Sequence, residues 1–258
     1  MSEIILEIRG LKKAFGGAWA VREYKLNLPR NKIYGLIGPN GAGKTTIFNL
    51  ITGLIKPDGG KIIFEGKDIT NLKPHQIAKL GISRTFQTLR LFKNLTVEDN
   101  VKIARHMHVG YGLHHALLNL PKFLKEEREL DELSKELLEL FGLYEYKHRP
   151  VGSLPYGHQR KLEVVRALAM EPKLLLLDEP SAGMTHKEAE ELSELIREIQ
   201  KEHSLTMIIV EHRMPFVMNL AETIQVLYHG VLIAEGTPKE VRSHPEVIKA
   251  YFGEKSFA

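Results

Sequence analysis

A short apolar run, Ile33-Tyr34-Gly35-Leu36-Ile37, passes directly into Gly38-Pro39-Asn40-Gly41-Ala42-Gly43-Lys44-Thr45 and then into a helix-compatible stretch from Lys44 to about Gly53. This succession narrows the fold more than any other part of the chain. The run has no polar alternation, so it reads as a strand buried on both faces, as in a parallel sheet. The segment after it fits GxxxxGK[ST], and strand–loop–helix is the context that this phosphate-binding pattern requires. Glycines let backbone N–H groups converge on phosphate oxygens, and the helix N-terminus adds a favourable dipole. The expected nucleotide contacts are Gly38, Pro39, Asn40, Gly41, Ala42, Gly43, Lys44, Thr45 and Thr46. Lys44 would neutralise the β- and γ-phosphates, and the Thr45 hydroxyl suits Mg²⁺.

A second apolar strand, Leu174–Leu177, ends in Asp178-Glu179. Ligands of open α/β sheets sit at such strand ends. Asp178 would hold Mg²⁺ through water, and Glu179 would orient or deprotonate the attacking water. Alone, the pair also fits a solvated strand end with Glu179 capping a helix; the phosphate loop upstream favours catalysis. Met207–Val210 leads through Glu211 to His212, whose imidazole would hydrogen-bond a γ-phosphate. The chain has 12 histidines, so position is what singles out His212. Gln87 ends the strand-like Ile82–Phe86, and its amide suits the attacking water or the Mg²⁺ shell. Read from residues alone, a polar strand end is the preferred account of Gln87. Phe15, in the turn Phe15-Gly16-Gly17-Ala18-Trp19, suits stacking on adenine with Val21 beside it, and Trp19 is a rival.

At 258 residues the chain accommodates one domain with a helical insertion. Its 43% hydrophobic and 26% charged content is that of a soluble globular protein. No apolar run approaches the roughly 18 residues of a membrane span. Ser2-Glu3-Ile4 shows no secretory pattern. Cysteine is absent, which excludes disulfides and thiolate metal sites and agrees with a cytoplasmic setting. A net charge of +4 suits nucleotide or an anionic membrane face and does not point to nucleic acid.

Along the chain, alternation at Ile4, Leu6, Ile8 and at Tyr24, Leu26, Leu28 predicts two strands near the N-terminus. Pro57-Asp58-Gly59-Gly60 and Glu65-Gly66-Lys67-Asp68 predict turns around a strand at Lys61–Glu65. Thr96 is a predicted helix cap. Leu130, Leu133, Leu137 and Leu140 mark a helix with a solvated charged face, on which Asp131 and Lys135 are spaced to pair. Further predicted elements are helices from Gln159 to Met170 and from about His186 to Glu202, a strand at Leu205–Val210, and a hairpin of Ile224–Tyr228 with Val231–Ala234. Thr185 with Glu188, and Thr237 with Glu240 behind Pro238, are capping boxes. Tyr111-Gly112-Leu113-His114-His115 has no assigned element.

The ordered set of Phe15, the phosphate loop, Gln87, Leu154-Pro155-Tyr156-Gly157-His158-Gln159, Asp178-Glu179 and His212 resembles the ATP-binding subunits of ABC transporters. Arg84-Thr85-Phe86-Gln87, Arg90-Leu91-Phe92, Leu95-Thr96-Val97, Leu154–Gly157 and the ending Gly236-Thr237-Pro238 to Tyr251-Phe252-Gly253-Glu254 resemble the branched-chain amino-acid importer type. The resemblance implies a RecA-like α/β P-loop NTPase core with an antiparallel β subdomain and an α-helical subdomain. Within one domain of residues 1–258, it assigns 1–87 and 159–258 to the core plus β subdomain and 88–158 to the helical subdomain, with the signature at its end. It implies a head-to-tail dimer in which Tyr156, Gly157 and His158 of one subunit meet the nucleotide of the other. It further implies ATP and Mg²⁺ as cofactors, two membrane permease subunits as partners, and indirectly a periplasmic or extracellular substrate-binding protein. The expected location is cytoplasmic, peripheral on the inner face of the cell membrane. Two positions depart from the common pattern. Pro155 stands where serine is usual and offers neither hydroxyl nor N–H; Thr185 stands where aspartate or asparagine is usual. Alternatives are an ATPase for urea, amide or lipopolysaccharide transport, or a soluble iron–sulfur assembly factor of the same ATPase class.

Overall fold

The computed structural model describes residues 3–110 and 121–252. The N-terminal alternation forms a long hairpin, β1 (Ile4–Phe15) and β2 (Ala18–Pro29), turning at Gly16-Gly17. β1 also pairs antiparallel with β4 (Gly59–Phe64), and β4 pairs with β5 (Lys67–Asp68), giving the order β2-β1-β4-β5. β4 therefore starts at Gly59, inside the predicted turn.

The second sheet is mostly parallel. Its strands are β3 (Ile33–Ile37), β6 (Ile82–Arg84), β7 (Leu174–Asp178), β8 (Thr206–Val210), β9 (Thr223–Tyr228) and β10 (Val231–Gly236), in the order β10-β9-β3-β8-β7-β6. Only the β9–β10 hairpin is antiparallel. It turns at His229 and Gly230, both at positive φ. All residues of β3, β7 and β8 are buried, which accounts for their unbroken apolar character.

Strand parity divides the core. Leu36, Leu174, Leu176, Ile208 and Val210 face the four-stranded sheet and helix α1 (Lys44–Ile51), packing with Ile47 and Phe48. Ile37, Leu175, Leu177, Met207 and Ile209 face the opposite way, onto the apolar sides of the long helices. A Cβ at Gly35 would lie 2.4 Å from Val217 Cγ1, so this glycine lets a helix dock directly on β3.

The remaining α-helices among the described residues are α2 (Pro74–Lys79), α3 (Val97–Arg105), α4 (Pro121–Leu140), α5 (Tyr156–Leu168), α6 (His186–Glu202), α7 (Met214–Leu220), α8 (Pro238–Ser243) and α9 (Pro245–Phe252). Thr96 with Asp99, Thr185 with Glu188 and Thr237 with Glu240 each form reciprocal capping boxes. The turn and strand signals gave no hint of α2, α7 or α9. Two expectations fail in detail. Asp131 and Lys135 do not pair: Asp131 holds Lys102 of α3, and Lys135 lies 3.9 Å from Glu139. The tertiary partner captures Asp131. Helix α5 begins at Tyr156 instead of Gln159, because Pro155 serves as its N-cap and the Gln159 N–H bonds the Pro155 carbonyl at 3.1 Å. Tyr111 to His115 lie outside the described residues.

Candidate active site at the C-terminal edge of the sheet

The loops after β3, β6, β7 and β8 leave the same edge of the parallel sheet, so residues far apart in sequence converge there. The phosphate loop is shaped by glycine. Gly38 and Gly43 have φ of 154° and 107°, and a Cβ on Gly43 would stand 2.3 Å from the Ala20 carbonyl oxygen. Lys44, 5% exposed, donates to the carbonyls of Gly38 at 2.7 Å and Pro39 at 2.9 Å. Burial pushes its ammonium below the ordinary lysine value, against the pull of Glu179 and Asp178. Ala42 is buried, with its N–H bonded to Pro39. Asn40, Gly41 and Thr45 are exposed, and Pro39 and Thr46 half-buried.

Asp178 is 1% exposed. Its Oδ2 accepts from Arg84 at 2.7 Å, and Arg84 also donates to Asn49 of α1 at 2.7 Å. Asp178 Oδ1 is buried and has no protein partner. Burial pushes this carboxyl above its ordinary range, opposed mainly by Arg84. A buried carboxylate oxygen left without a donor fits the hard oxygen ligation of Mg²⁺.

Glu179 lies at φ 50°, in the left-handed region. Its N–H donates to the Val210 carbonyl at 2.8 Å, tying it to the end of β8. Gln87 Nε2 donates to Glu179 Oε2 at 3.1 Å, and His212 Nε2 lies 2.5 Å from Glu179 Oε1. The structure thus brings Gln87, Glu179 and His212 into direct contact. Gln87 lies three residues beyond β6, which stops at Arg84.

Phe15 and Trp19 are both exposed near the hairpin turn, at 51% and 44%. Val21 is a correction: at 0% exposure it packs inside the β-sheet core, because strand alternation turns it inward, and no base can touch its side chain in this conformation. Ala20 makes the strand's contact with the phosphate loop.

Tyr156, Gly157 and His158 form the first turn of α5, and no hydrogen bond or ring contact joins them to Lys44 or Asp178 in the same chain. Tyr156 and Gly157 instead lie against the loop after β7 and the start of α6. A Cβ on Gly183 would meet the Tyr156 ring at 2.5 Å, and one on Gly157 would meet Glu188 Oε1 at 2.6 Å. The His158 ring stands edge-on to Tyr146, with centroids 5.1 Å apart.

Several residues of this site carried no assigned role in the sequence. Glu211, 3% exposed, accepts from the Ser181 N–H at 2.9 Å and from the Ser181 hydroxyl, and also from the N–H groups of His212 and Arg213. It ties the loop after β7 to the loop after β8. Its one sequence signal was a carboxylate following an apolar strand. Arg84 and Thr85 stood only as part of a motif; Thr85 Oγ1 accepts from the Asp178 N–H at 3.0 Å.

Residues 21–182 match the family model for ABC transporter, and residues 231–255 match that for branched-chain amino acid ATP-binding cassette transporter. The chain belongs to the ABC transporter family, and its fold is the RecA-like P-loop NTPase cassette of that family. It is 43% identical, across 98% of its length and 100% of the relative's, to the high-affinity branched-chain amino acid transport ATP-binding protein BraF of Pseudomonas aeruginosa. The same figures hold for the corresponding protein LivG of Escherichia coli strain K12. Among solved structures, the ADP conformation of an ATP-binding cassette of an ABC transporter matches with a TM-score of 0.84 and 33% identity, covering 98% of this chain and 100% of that one. Among the described residues, no helix is long and apolar enough to cross a membrane.

Proposed function

We propose that this chain is the ATP-hydrolysing subunit of an importer for branched-chain amino acids, bound peripherally to the inner face of the cell membrane. The observation that supports its chemistry best is the carboxylate of Glu179, held between Gln87 and His212 beside the unsatisfied Asp178 Oδ1. Full-length identity to amino-acid transport relatives supports the substrate class. In this reading the glycine loop and Lys44 bind the triphosphate, and Phe15 stacks on adenine. Thr45, Asp178 and Gln87 would hold Mg²⁺, whose charge would offset that gathering on the phosphate oxygens. Glu179 takes the proton from the attacking water. His212 donates to the γ-phosphate once nucleotide draws it from Glu179.

Tyr156, Gly157 and His158 serve the nucleotide of a second ATP-binding subunit, identical or related. Pro155 leaves that contact to the free N–H groups of the first turn of α5. Residues 1–87 and 159–258 act as the nucleotide-binding body, and 88–158 as the helical part that meets two membrane permease subunits. The extracytoplasmic substrate-binding protein acts through those permeases.

The test is co-expression with the candidate permease subunits, purification of the assembly, and ATPase assay in liposomes with the binding protein present. Leucine, isoleucine or valine should stimulate hydrolysis. Failure of the chain to co-purify with any membrane subunit refutes the transporter role; stimulation by urea or amides but not by these amino acids refutes the substrate class.

A further inference from the structure

Helix α5 carries a buried charge pair outside the chemistry above. Arg160 and Glu163 lie 2.9 Å apart, with side chains 2% and 6% exposed. Such a pair adds little stability by itself, since the loss of hydration offsets the attraction. Its remaining bonds leave the helix for one short segment. Arg160 donates from Nη1 to the Phe86 carbonyl at 3.0 Å and from Nη2 to the Gln87 carbonyl at 2.5 Å. The Phe86 N–H donates back to Glu163 at 3.3 Å. One turn along, Arg166 donates to the Arg90 carbonyl at 2.5 Å. The helix therefore grips residues 86–90 by their main chain. At its other end the Arg160 guanidinium stands 5.6 Å from the Tyr156 ring, in the first turn of α5. The gripped Gln87 in turn sets its amide against Glu179.

We propose that Arg160, braced by Glu163, is a positioning residue for ATP hydrolysis: it fixes the Gln87 main chain to helix α5, so that a shift of this helix moves the Gln87 amide relative to Glu179. The proposal rests on the reading of Gln87 and Glu179 as site residues. Arginine is the side chain suited to the task. Its planar fork reaches two successive carbonyls while keeping an arm on Glu163, whereas a lysine ammonium is a single point on a flexible stem. Glu163 makes the desolvated guanidinium tolerable and takes the Phe86 N–H as well.

The test is a double-mutant cycle on the purified full-length chain. Arg160→Lys keeps the charge opposite Glu163 and loses the fork. Arg160→Met combined with Glu163→Leu removes both charges, so neither is left buried alone. Each is made in the wild-type and Gln87→Ala backgrounds, with ATP affinity, kcat, KM and thermal midpoint measured. The expected result is ATP affinity within about twofold of the parent, with kcat lowered about tenfold or more in the wild-type background and less than about twofold once Gln87 is already alanine. Equal losses in both backgrounds overturn the proposal, as does a lowered thermal midpoint with kcat unchanged. Gln87→Ala alone tests the underlying reading: a wild-type kcat in that single variant refutes the role of Gln87 itself, whatever Arg160 does.

Discussion

Glu179→Gln is the substitution whose outcome the geometry constrains most tightly. The new side chain has the same volume and replaces a group with 12% side-chain exposure, so the fold should persist. Glu179 makes two contacts, with Gln87 at 3.1 Å and His212 at 2.5 Å. Hydrogen bonds to a charged group are worth about 1.5–3 kcal/mol each, and the neutral amide returns them to about 0.5–1.5 kcal/mol. Both donors are thereby loosened before nucleotide arrives, and ATP meets one negative charge fewer, so binding should not weaken. On the proposed mechanism, hydrolysis loses its proton acceptor. General-base catalysis contributes about 10²–10⁴-fold, which corresponds to about 2.7–5.4 kcal/mol in the barrier. Phosphate release at saturating MgATP should fall by that factor. Size-exclusion chromatography should show a dimer with ATP and a monomer without it, because the γ-phosphate that bridges two subunits is no longer consumed. If the working pair is heteromeric, the same readings are taken with the partner subunit added. Hydrolysis within about threefold of wild type, alone and with that partner, would remove Glu179 from the role of base.

Gly43→Ala should abolish MgATP binding and lower the thermal midpoint, because a Cβ there would stand 2.3 Å from the Ala20 carbonyl at a φ that costs about 1–3 kcal/mol for other residues; wild-type nucleotide affinity would contradict the loop geometry. Pro155→Ser places a capping hydroxyl at the N-cap of α5, where no side chain now caps, and should raise stability by about 0.5–2 kcal/mol in urea melts. A decrease would mean that the fixed φ of proline matters more than the missing cap. Burial raises the Asp178 carboxyl, so the native state binds more protons than the unfolded chain from the ordinary value of about 3.9 upward, and stability is lost as pH rises through that window. The stability difference between Asp178→Asn and wild type, whatever the cost of leaving Arg84 without its partner, should therefore shift in favour of the variant between pH 4 and pH 7, and a pH-independent difference would show that Arg84 fully offsets the burial.

The sequence was most legible where local chemistry and tertiary role coincide. β3 and β7 were visible because burial on both faces leaves an unbroken apolar run, and the caps at Thr96, Thr185 and Thr237 because the partner lies three residues away. Short helices such as α2 and α7 escaped because their 6 and 7 residues give too little periodicity. The start of α5 was misplaced because Tyr156-Gly157-His158 has no apolar rhythm and the cap, Pro155, carries no capping side chain. Val21 was misassigned because reading Phe15 as a base-stacking residue drew its neighbour along, while strand parity sends Val21 inward. Arg84, Arg160 and Glu211 were beyond reach for another reason. Each works through partners far away in sequence, as the Arg84–Asp178 separation of 94 positions illustrates.

Asp178 and Glu179 show how two adjacent carboxylates come to separate duties. Asp178 is still in β7 and shares the parity of Leu174 and Leu176, so it must face helix α1 and the foot of the phosphate loop. There it meets Arg84, itself bonded to Asn49 of α1, and keeps one oxygen free. Ordinary strand alternation would send Glu179 to the opposite face, into the cluster that holds Leu175 and Leu177. An ionised carboxylate among those side chains would be costly to bury. The chain leaves the sheet instead. Glu179 takes φ 50°, at a cost of about 1–3 kcal/mol for a residue other than glycine. Its N–H to the Val210 carbonyl and its carbonyl to the Ala182 N–H, at 2.8 and 3.1 Å, hold that conformation. The turn carries the carboxylate out to Gln87 and His212, one from the loop after β6 and one from the loop after β8. Backbone strain at this one residue is what lets two acids be neighbours in sequence and differ in environment, as the roles proposed for them require.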